Sequence, residues 1–191
     1  MRKVILFMHL SLDGFVSGPN NELDWATMND DEIGKFLIPD LQKTVDTMLV
    51  GRSLYQGFEQ YWPAVPQDPK APPELVEFSH WMADTQKVVF SNTLKEVKWK
   101  NSLLATSDPV TTVQRMKNES GGDMVIFGGA ALAAHFTKNN LVDEYRLKLE
   151  PVVLGKGKPL FKDLTNRVKL KLVKSKAFES GVTGLYYEVI K

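Results

Sequence analysis

Twenty-four Lys and Arg against 23 Asp and Glu leave this 191-residue chain with a formal net charge of +1, spread along its length. That balance argues against nucleic acid or an anionic membrane as a partner, and 43% hydrophobic with 25% charged residues is the composition of a soluble globular protein. Cysteine is absent, which excludes disulfides, thiolate metal sites and a Cys nucleophile, and suits a reducing cytoplasm. The length fits one domain spanning residues 1–191.

Val4-Ile5-Leu6-Phe7-Met8 is a continuous apolar run, which predicts a strand covered on both faces rather than a signal segment. Residues 10–18 follow as a loop holding the turn dipeptide Asp13-Gly14. Leu23-Asp24-Trp25 precede Asp30, Asp31 and Glu32, acids suited to the first turn of a helix. Residues 47–50 predict a second buried strand, running into Gly51-Arg52-Ser53 and a helix over 54–61. Residues 63–73 read as a proline-rich surface loop. Pro73 opens a helix with Leu75, Phe78 and Met82 on one face.

Strands are predicted again at 87–90 and 124–127, with a helix opened by Pro109 between them and another over 130–139. Strands alternating with helices imply parallel crossovers and a sheet with helices on both faces. The last part differs: 144–153 and 168–174 are longer strands, 179–184 has hairpin chemistry, and 185–190 alternates. The sheet is therefore expected to finish antiparallel. Lys169, Lys171, Lys174 and Lys176 read as a solvated strand face.

Two strand-to-helix junctions stand out chemically. At Gly51-Arg52-Ser53 and at Gly128-Gly129-Ala130 a buried strand passes through glycine into a helix, whose first amides are unpaired and whose dipole is positive. Glycine lets an anion approach those amides, although it also permits tight strand–helix packing. Arg52 has the forked geometry for a phosphate monoester, or for a surface ion pair. Ser53 fits a phosphate contact or a helix cap. The loop after the first strand serves as a turn or as a lid across a cofactor ring. Residues 151–161, with Gly155, Lys156, Gly157 and Lys158, make an anion-binding loop or a solvated turn.

His9, His80 and His135 are scattered without metal-ligand spacing, so no metal site is expected and His9 reads as structural. Trp25, Trp62, Trp81 and Trp99 read as packing residues rather than base-stacking platforms.

Ser11-Leu12-Asp13-Gly14-Phe15, the Gly51-Arg52-Ser53 unit, Val88-Val89-Phe90-Ser91, Ile126-Phe127-Gly128-Gly129-Ala130-Ala131-Leu132 and Pro151-Val152-Val153-Leu154-Gly155 occur in that order. In order and spacing, over nearly the whole chain, they resemble the reductase domain of the riboflavin-biosynthesis deaminase–reductase, within the dihydrofolate reductase-like superfamily. The resemblance implies a three-layer α/β fold, with a mostly parallel mixed sheet of about eight strands and an antiparallel C-terminal hairpin. It implies NADPH as cofactor and a small-molecule substrate, as in 5-amino-6-(5-phosphoribosylamino)uracil reduction, and commonly a homodimer. Carried over by position, Gly51, Arg52 and Ser53 hold cofactor phosphate, and Ser91 and Asn92 lie near the adenosine and its 2′-phosphate. Gly128, Gly129, Ala130 and Leu132 line the pyrophosphate. Ser11, Asp13, Gly14 and Val16 lie towards nicotinamide and substrate. Apart from the resemblance, Lys156 and Lys158 are the expected grip on an anionic group of the substrate.

Reduction of a C=N or C=O bond also needs a proton, and Asp13 and Glu150 are the expected carriers. Their alternatives are a turn former and an exposed strand-end charge. Dihydrofolate reductase activity and an inactive nucleotide-binding protein are the competing readings. Deaminase activity is not expected, because its zinc motif needs cysteines.

Overall fold

The computed structural model describes residues 1–28 and 30–190. In chain order its elements are β1 (Val4–Ser11), β2 (Phe15–Ser17), α1 (Asp31–Thr44), β3 (Val45–Gly51), α2 (Arg52–Tyr61) and α3 (Pro73–Asp84). Then come β4 (Gln86–Phe90), β5 (Ser102–Leu104), α4 (Pro109–Lys117), β6 (Asp123–Phe127) and α5 (Ala130–Lys138). The chain closes with β7 (Glu144–Glu150), β8 (Lys158–Pro159), β9 (Leu170–Ala177) and β10 (Thr183–Val189).

Eight strands form one sheet in the order β5-β4-β3-β6-β1-β7-β10-β9. Every neighbouring pair is parallel except β7–β10 and β10–β9, so β10 alone runs against the rest. The short β2 and β8 pair separately as an antiparallel ribbon.

The continuous apolar strands sit where that pattern demands. β1 and β6 are central, and Val4, Ile5, Leu6, Met124, Val125 and Ile126 are all fully buried. Alternate residues feed two cores. Leu6, Met8 and Ile126 pack with Val113 and Met116 of α4 and Ala133 and Phe136 of α5. Ile5, Val50 and Val125 pack on the other face with Leu41, Tyr55 and Met82 from α1, α2 and α3. A smaller cluster of Ile33, Leu37, Phe178, Val182 and Tyr186 seats α1 on the C-terminal hairpin. Each such aliphatic side chain contributes roughly 1.5–3 kcal/mol by leaving water.

The proline-rich segment differs from expectation in its first half. Trp62–Gln67 is a 3-10 helix, because Pro63 sits in its first turn, at the second position, and Val65 finds a buried site. The basic run is also more than a solvated face. β9 is exposed from Lys171 to Ala177, yet Lys174 Nζ lies 4.1 Å from the Phe36 ring centroid and Lys176 pairs with Glu32 at 2.6 Å. Two of its lysines thus strap the edge strand to α1.

Lys87 is fully buried on β4, where its Nζ donates to the carbonyls of Met82 (3.0 Å) and Ala83 (2.8 Å) at the end of α3. Burial lowers its pKa from 10.5 to about 8. The unfolded chain therefore binds the proton more tightly, and stability gains as pH rises from about 8 to 10.5. Relative to Lys87→Met, the wild type should gain roughly 3 kcal/mol across that window, at about 1.4 kcal/mol per unit. Parallel denaturant titrations at pH 7.5 and 10 read it, and equal differences at both pH values would refute it.

Candidate cofactor and substrate site

Side-chain caps distinguish the helices. Asp30 accepts from the Ile33 amide (3.0 Å) to start α1, and Asp108 accepts from the Thr111 amide (3.0 Å) to start α4. The caps of α2 and α5 are Gly51 and Gly129, which offer no side chain, so the first-turn amides of both helices stay open. Gly128 and Gly129 have φ of +73° and +81°, a region that glycine enters without strain. A Cβ added at Gly51 or Gly129 would meet nothing within 4 Å, and one at Gly128 would meet only Leu54 of α2, at 3.7 Å. β3 and β6 are neighbours, so these two open helix ends lie side by side beyond the strands' carboxyl ends.

Arg52 and Ser53 are exposed on the first turn of α2. The Arg52 guanidinium donates to Thr93 Oγ1 at 2.7 Å. That contact follows from the register, which sets Gly51 beside Phe90 and so brings Ser91, Asn92 and Thr93 next to the α2 start. Ser91 Oγ accepts from the amides of Thr93 (3.1 Å) and Leu94 (3.0 Å) and shapes this turn, while Asn92 is exposed. Thr93 was not among the expected residues; it is visible only through the strand pairing. Ala130 and Leu132 pack against the α4–α5 core, so they offer a ligand backbone rather than side chain.

Past β1, the Asp13 carboxylate is an anchor. It accepts from Ser11 Oγ (2.7 Å) and from the amides of Leu154 (3.1 Å) and Gly155 (2.7 Å), tying the first loop to residues 154–155. The Ser11 hydroxyl and these amides hold the Asp13 pKa below its ordinary value. Gly14 turns the chain with φ +87°, and its carbonyl accepts from Leu160. Val16 is buried in the core and fixes β2 in place rather than facing a ligand. Lys158 on β8 is bound to Asn21 Oδ1, whereas Lys156 is exposed.

The β2–β8 ribbon closes over Gly157. A Cβ there would lie 2.4 Å from the Ser17 carbonyl oxygen, closer than real contacts allow. Gly157→Ala is expected to open the ribbon, which limited proteolysis would show as new cleavage within residues 151–162; an unchanged digest would count against it.

The most buried charge in this region is Glu150, which removes the alternative of an exposed strand-end charge. Its side chain is wholly buried. One oxygen takes His9 Nδ1 at 2.7 Å; the other takes the Thr27 amide (3.2 Å) and hydroxyl (2.9 Å). Lys148, two residues earlier on β7, donates to the Thr27 carbonyl at 2.5 Å. Burial alone would raise the Glu150 pKa, but the bonds from His9 and Thr27 outweigh it and hold the carboxyl below 4.5. His9 shifts down from 6.5, chiefly through burial. Asp30, Asp31 and Glu32 serve the α1 start, Asp30 as its cap.

A separate cavity of about 580 Å³ lies at the amino ends of the strands, lined by Arg2, Asp46, Gln86 and Ser102 among others. It is at the opposite end of the sheet from the glycine junctions, and its buried Arg2 is already paired with Asp46. Among the described residues no His, Asp and Glu cluster forms a metal site, and no helix is long and apolar enough to cross a membrane.

The eight-stranded order with a single reversed strand and helices on both faces is a dihydrofolate reductase-like fold. Dihydrofolate reductase from Enterococcus faecalis, solved with NADP(H), aligns over 99% of this chain and 97% of its own, with a TM-score of 0.60 at 13% identity. The model of the RibD C-terminal domain matches residues 2–183, and the chain belongs to that family. It is 38% identical over 186 residues to the uncharacterized protein YyaP of Bacillus subtilis (strain 168), covering 97% of this chain and 94% of that one. Among solved structures, a candidate riboflavin biosynthesis protein from Shewanella sp. PV-4 aligns over 99% of both chains, with a TM-score of 0.73 at 23% identity. The Thermotoga maritima diaminohydroxyphosphoribosylaminopyrimidine deaminase/5-amino-6-(5-phosphoribosylamino)uracil reductase shares the fold over 99% of this chain and 57% of its own, with a TM-score of 0.66 at 16% identity.

Proposed function

We propose that this chain is an NADPH-dependent reductase domain acting on a small heterocyclic or carbonyl substrate, within the reductase-like chemistry of its family. The observation that carries the reading is the pair of uncapped helix starts at Gly51 and Gly129, open and adjacent. Two sets of free amides with aligned helix dipoles suit a pyrophosphate, and Arg52 beside Ser91 and Thr93 suits a 2′-phosphate. NADPH, when bound, supplies the hydride. The chain contributes alignment, exclusion of water and proton handling.

Of the two carboxylates expected to serve the proton, Asp13 spends its acceptor capacity anchoring two loops. Glu150 sits at the carboxyl end of β7, where Ser11 of β1 lies opposite, with β1 next to the β6 junction. We assign proton handling to the Glu150 side.

Fluorescence titration tests the cofactor reading. NADPH is expected to bind more tightly than NADH, and Arg52→Ala to weaken NADPH by about 10-fold or more while moving NADH little, the loss of one charge-assisted contact. Equal affinity for both dinucleotides, unchanged in Arg52→Ala, would remove Arg52 from the phosphate site. Cofactor oxidation with a pterin, a ribosylaminopyrimidine phosphate and simple quinones or carbonyls then sorts the substrate class.

A further inference from the structure

We propose that His9, held by Glu150, is the catalytic acid that delivers the proton to the substrate, an inference that rests on the reductase reading above. Three observations place it. His9 lies on β1 between the β6 junction and β7, and two residues before it Phe7 is the last β1 residue paired with β6, at Phe127. At about 3.3 Å per residue, His9 therefore stands level with Gly128-Gly129, where β6 opens into α5. The Phe7 and Phe127 rings, with centroids 5.3 Å apart, pack edge to face at the end of that pairing.

The second observation is the commitment of one ring nitrogen. Nδ1 is bound to a carboxylate with no exposed surface, which leaves Nε2 as the nitrogen that the carboxylate does not use. The ring keeps 18% exposure, enough for proton exchange with solvent or a bound molecule. The third is that Glu150 is itself immobilised by the Thr27 amide and hydroxyl, which fixes the imidazole and its tautomer through the pair. A carboxylate behind an imidazole stabilises the charged ring formed when Nε2 is protonated. The other charges facing the pair are Lys148 on β7 and, through Lys148, Asp30 at the α1 cap; Lys148 opposes protonation of His9. The β6 side presents glycines.

The step balances simply. As the acceptor carbon of a C=N or C=O bond gains hydride, the π pair moves to the nitrogen or oxygen. That atom takes the proton from Nε2, the Nε2–H bond breaks, and a neutral imidazole remains paired with Glu150. Solvent restores the proton at the exposed edge. Glu150 never leaves its carboxylate state, so it is a positioning residue.

Two measurements test this. In the protein without cofactor, imidazole NMR should show His9 as the Nδ1–H tautomer when neutral, titrating below pH 6.5, and Glu150→Gln should shift that titration further down. In turnover, kcat should fall as pH rises through the same titration. His9→Gln should lower kcat about 100-fold or more and flatten the profile, with NADPH affinity changed less than twofold. Glu150→Gln should displace the profile and reduce kcat with little change in KM. If His9→Gln keeps the wild-type rate and profile, or the ring is an Nε2–H tautomer or does not titrate between pH 4 and 8, His9 is structural. If His9→Gln fails to fold, the NMR readout on the wild type decides alone. A wild type that binds no NADPH overturns the reductase reading instead, a result separable from all of these.

Discussion

Gly51→Asp is expected to weaken NADPH binding by about 100-fold or more, while making the protein slightly more stable than before. Gly51 has φ −85° and ψ 162°, the extended geometry in which aspartate caps a helix, and the space beyond its Cα is empty. A carboxylate there accepts from the Ser53 or Leu54 amide and occupies the donors meant for phosphate. Capping a helix that now has only glycine should add a few tenths of a kcal/mol to stability. The same carboxylate repels the incoming phosphate, by about 1–4 kcal/mol at 4 Å for dielectrics between water and a protein surface. Together with lost amide bonds, that exceeds the roughly 2.7 kcal/mol that a 100-fold change requires. Titration and thermal melting on one preparation read both halves. Unaltered NADPH affinity in a well-folded Gly51→Asp protein would mean that the α2 start holds no phosphate.

Glu150→Ala is expected to cost about 3 kcal/mol at neutral pH, because it strands the His9 Nδ1–H, the Thr27 amide and the Thr27 hydroxyl together. It also removes the nearest opposite charge from Lys148, which is 5% exposed. For a chain of this length the melting temperature should drop by roughly 6–12 °C. The sign with pH follows from the downward shift of the carboxyl. A depressed acid contributes above its ordinary value of 4.5 and loses that contribution as pH falls through its folded value. His9, also shifted down, costs both proteins stability as pH drops below 6.5, and costs Glu150→Ala more, because the carboxylate that supports the charged ring is gone. The gap should therefore widen as His9 takes a proton and close only as Glu150 is itself protonated. Calorimetry at pH 7.5 and 5.5 distinguishes this from plain loss of packing, which would give the same gap at both.

The buried strands and both glycine junctions were legible in the sequence because their signals are local. An unbroken apolar run such as Val4-Ile5-Leu6 needs cover on two faces, and Gly128-Gly129 before an alanine-rich helix announces an uncapped start. The antiparallel finish was legible for the same reason, from turn residues around Gly181 between two strands. What stayed hidden depends on register. His9 and Glu150 are 141 positions apart, and only the parallel pairing of β1 with β7 makes them partners. Read alone, His9 looked structural, and Glu150 stood between a proton carrier and an exposed strand-end charge. Thr93 reaches Arg52 through the β3–β4 pairing in the same way. The 3-10 turn at Trp62–Gln67 was masked by its prolines, which signal a loop until a buried Val65 is seen beneath it. Asp13 was legible as a turn, but its three donors come from Ser11 and from a loop some 140 residues away.

Amide NMR during addition of NADPH tests the central claim most directly, because it observes the proposed donors themselves. The largest saturable shifts are expected at Gly51, Arg52, Ser53 and at Gly129, Ala130 and Leu132, with smaller ones at Ser91 and Thr93. Shifts confined to the amino-end cavity around Arg2 and Gln86, or no saturable shift at all, would contradict the account.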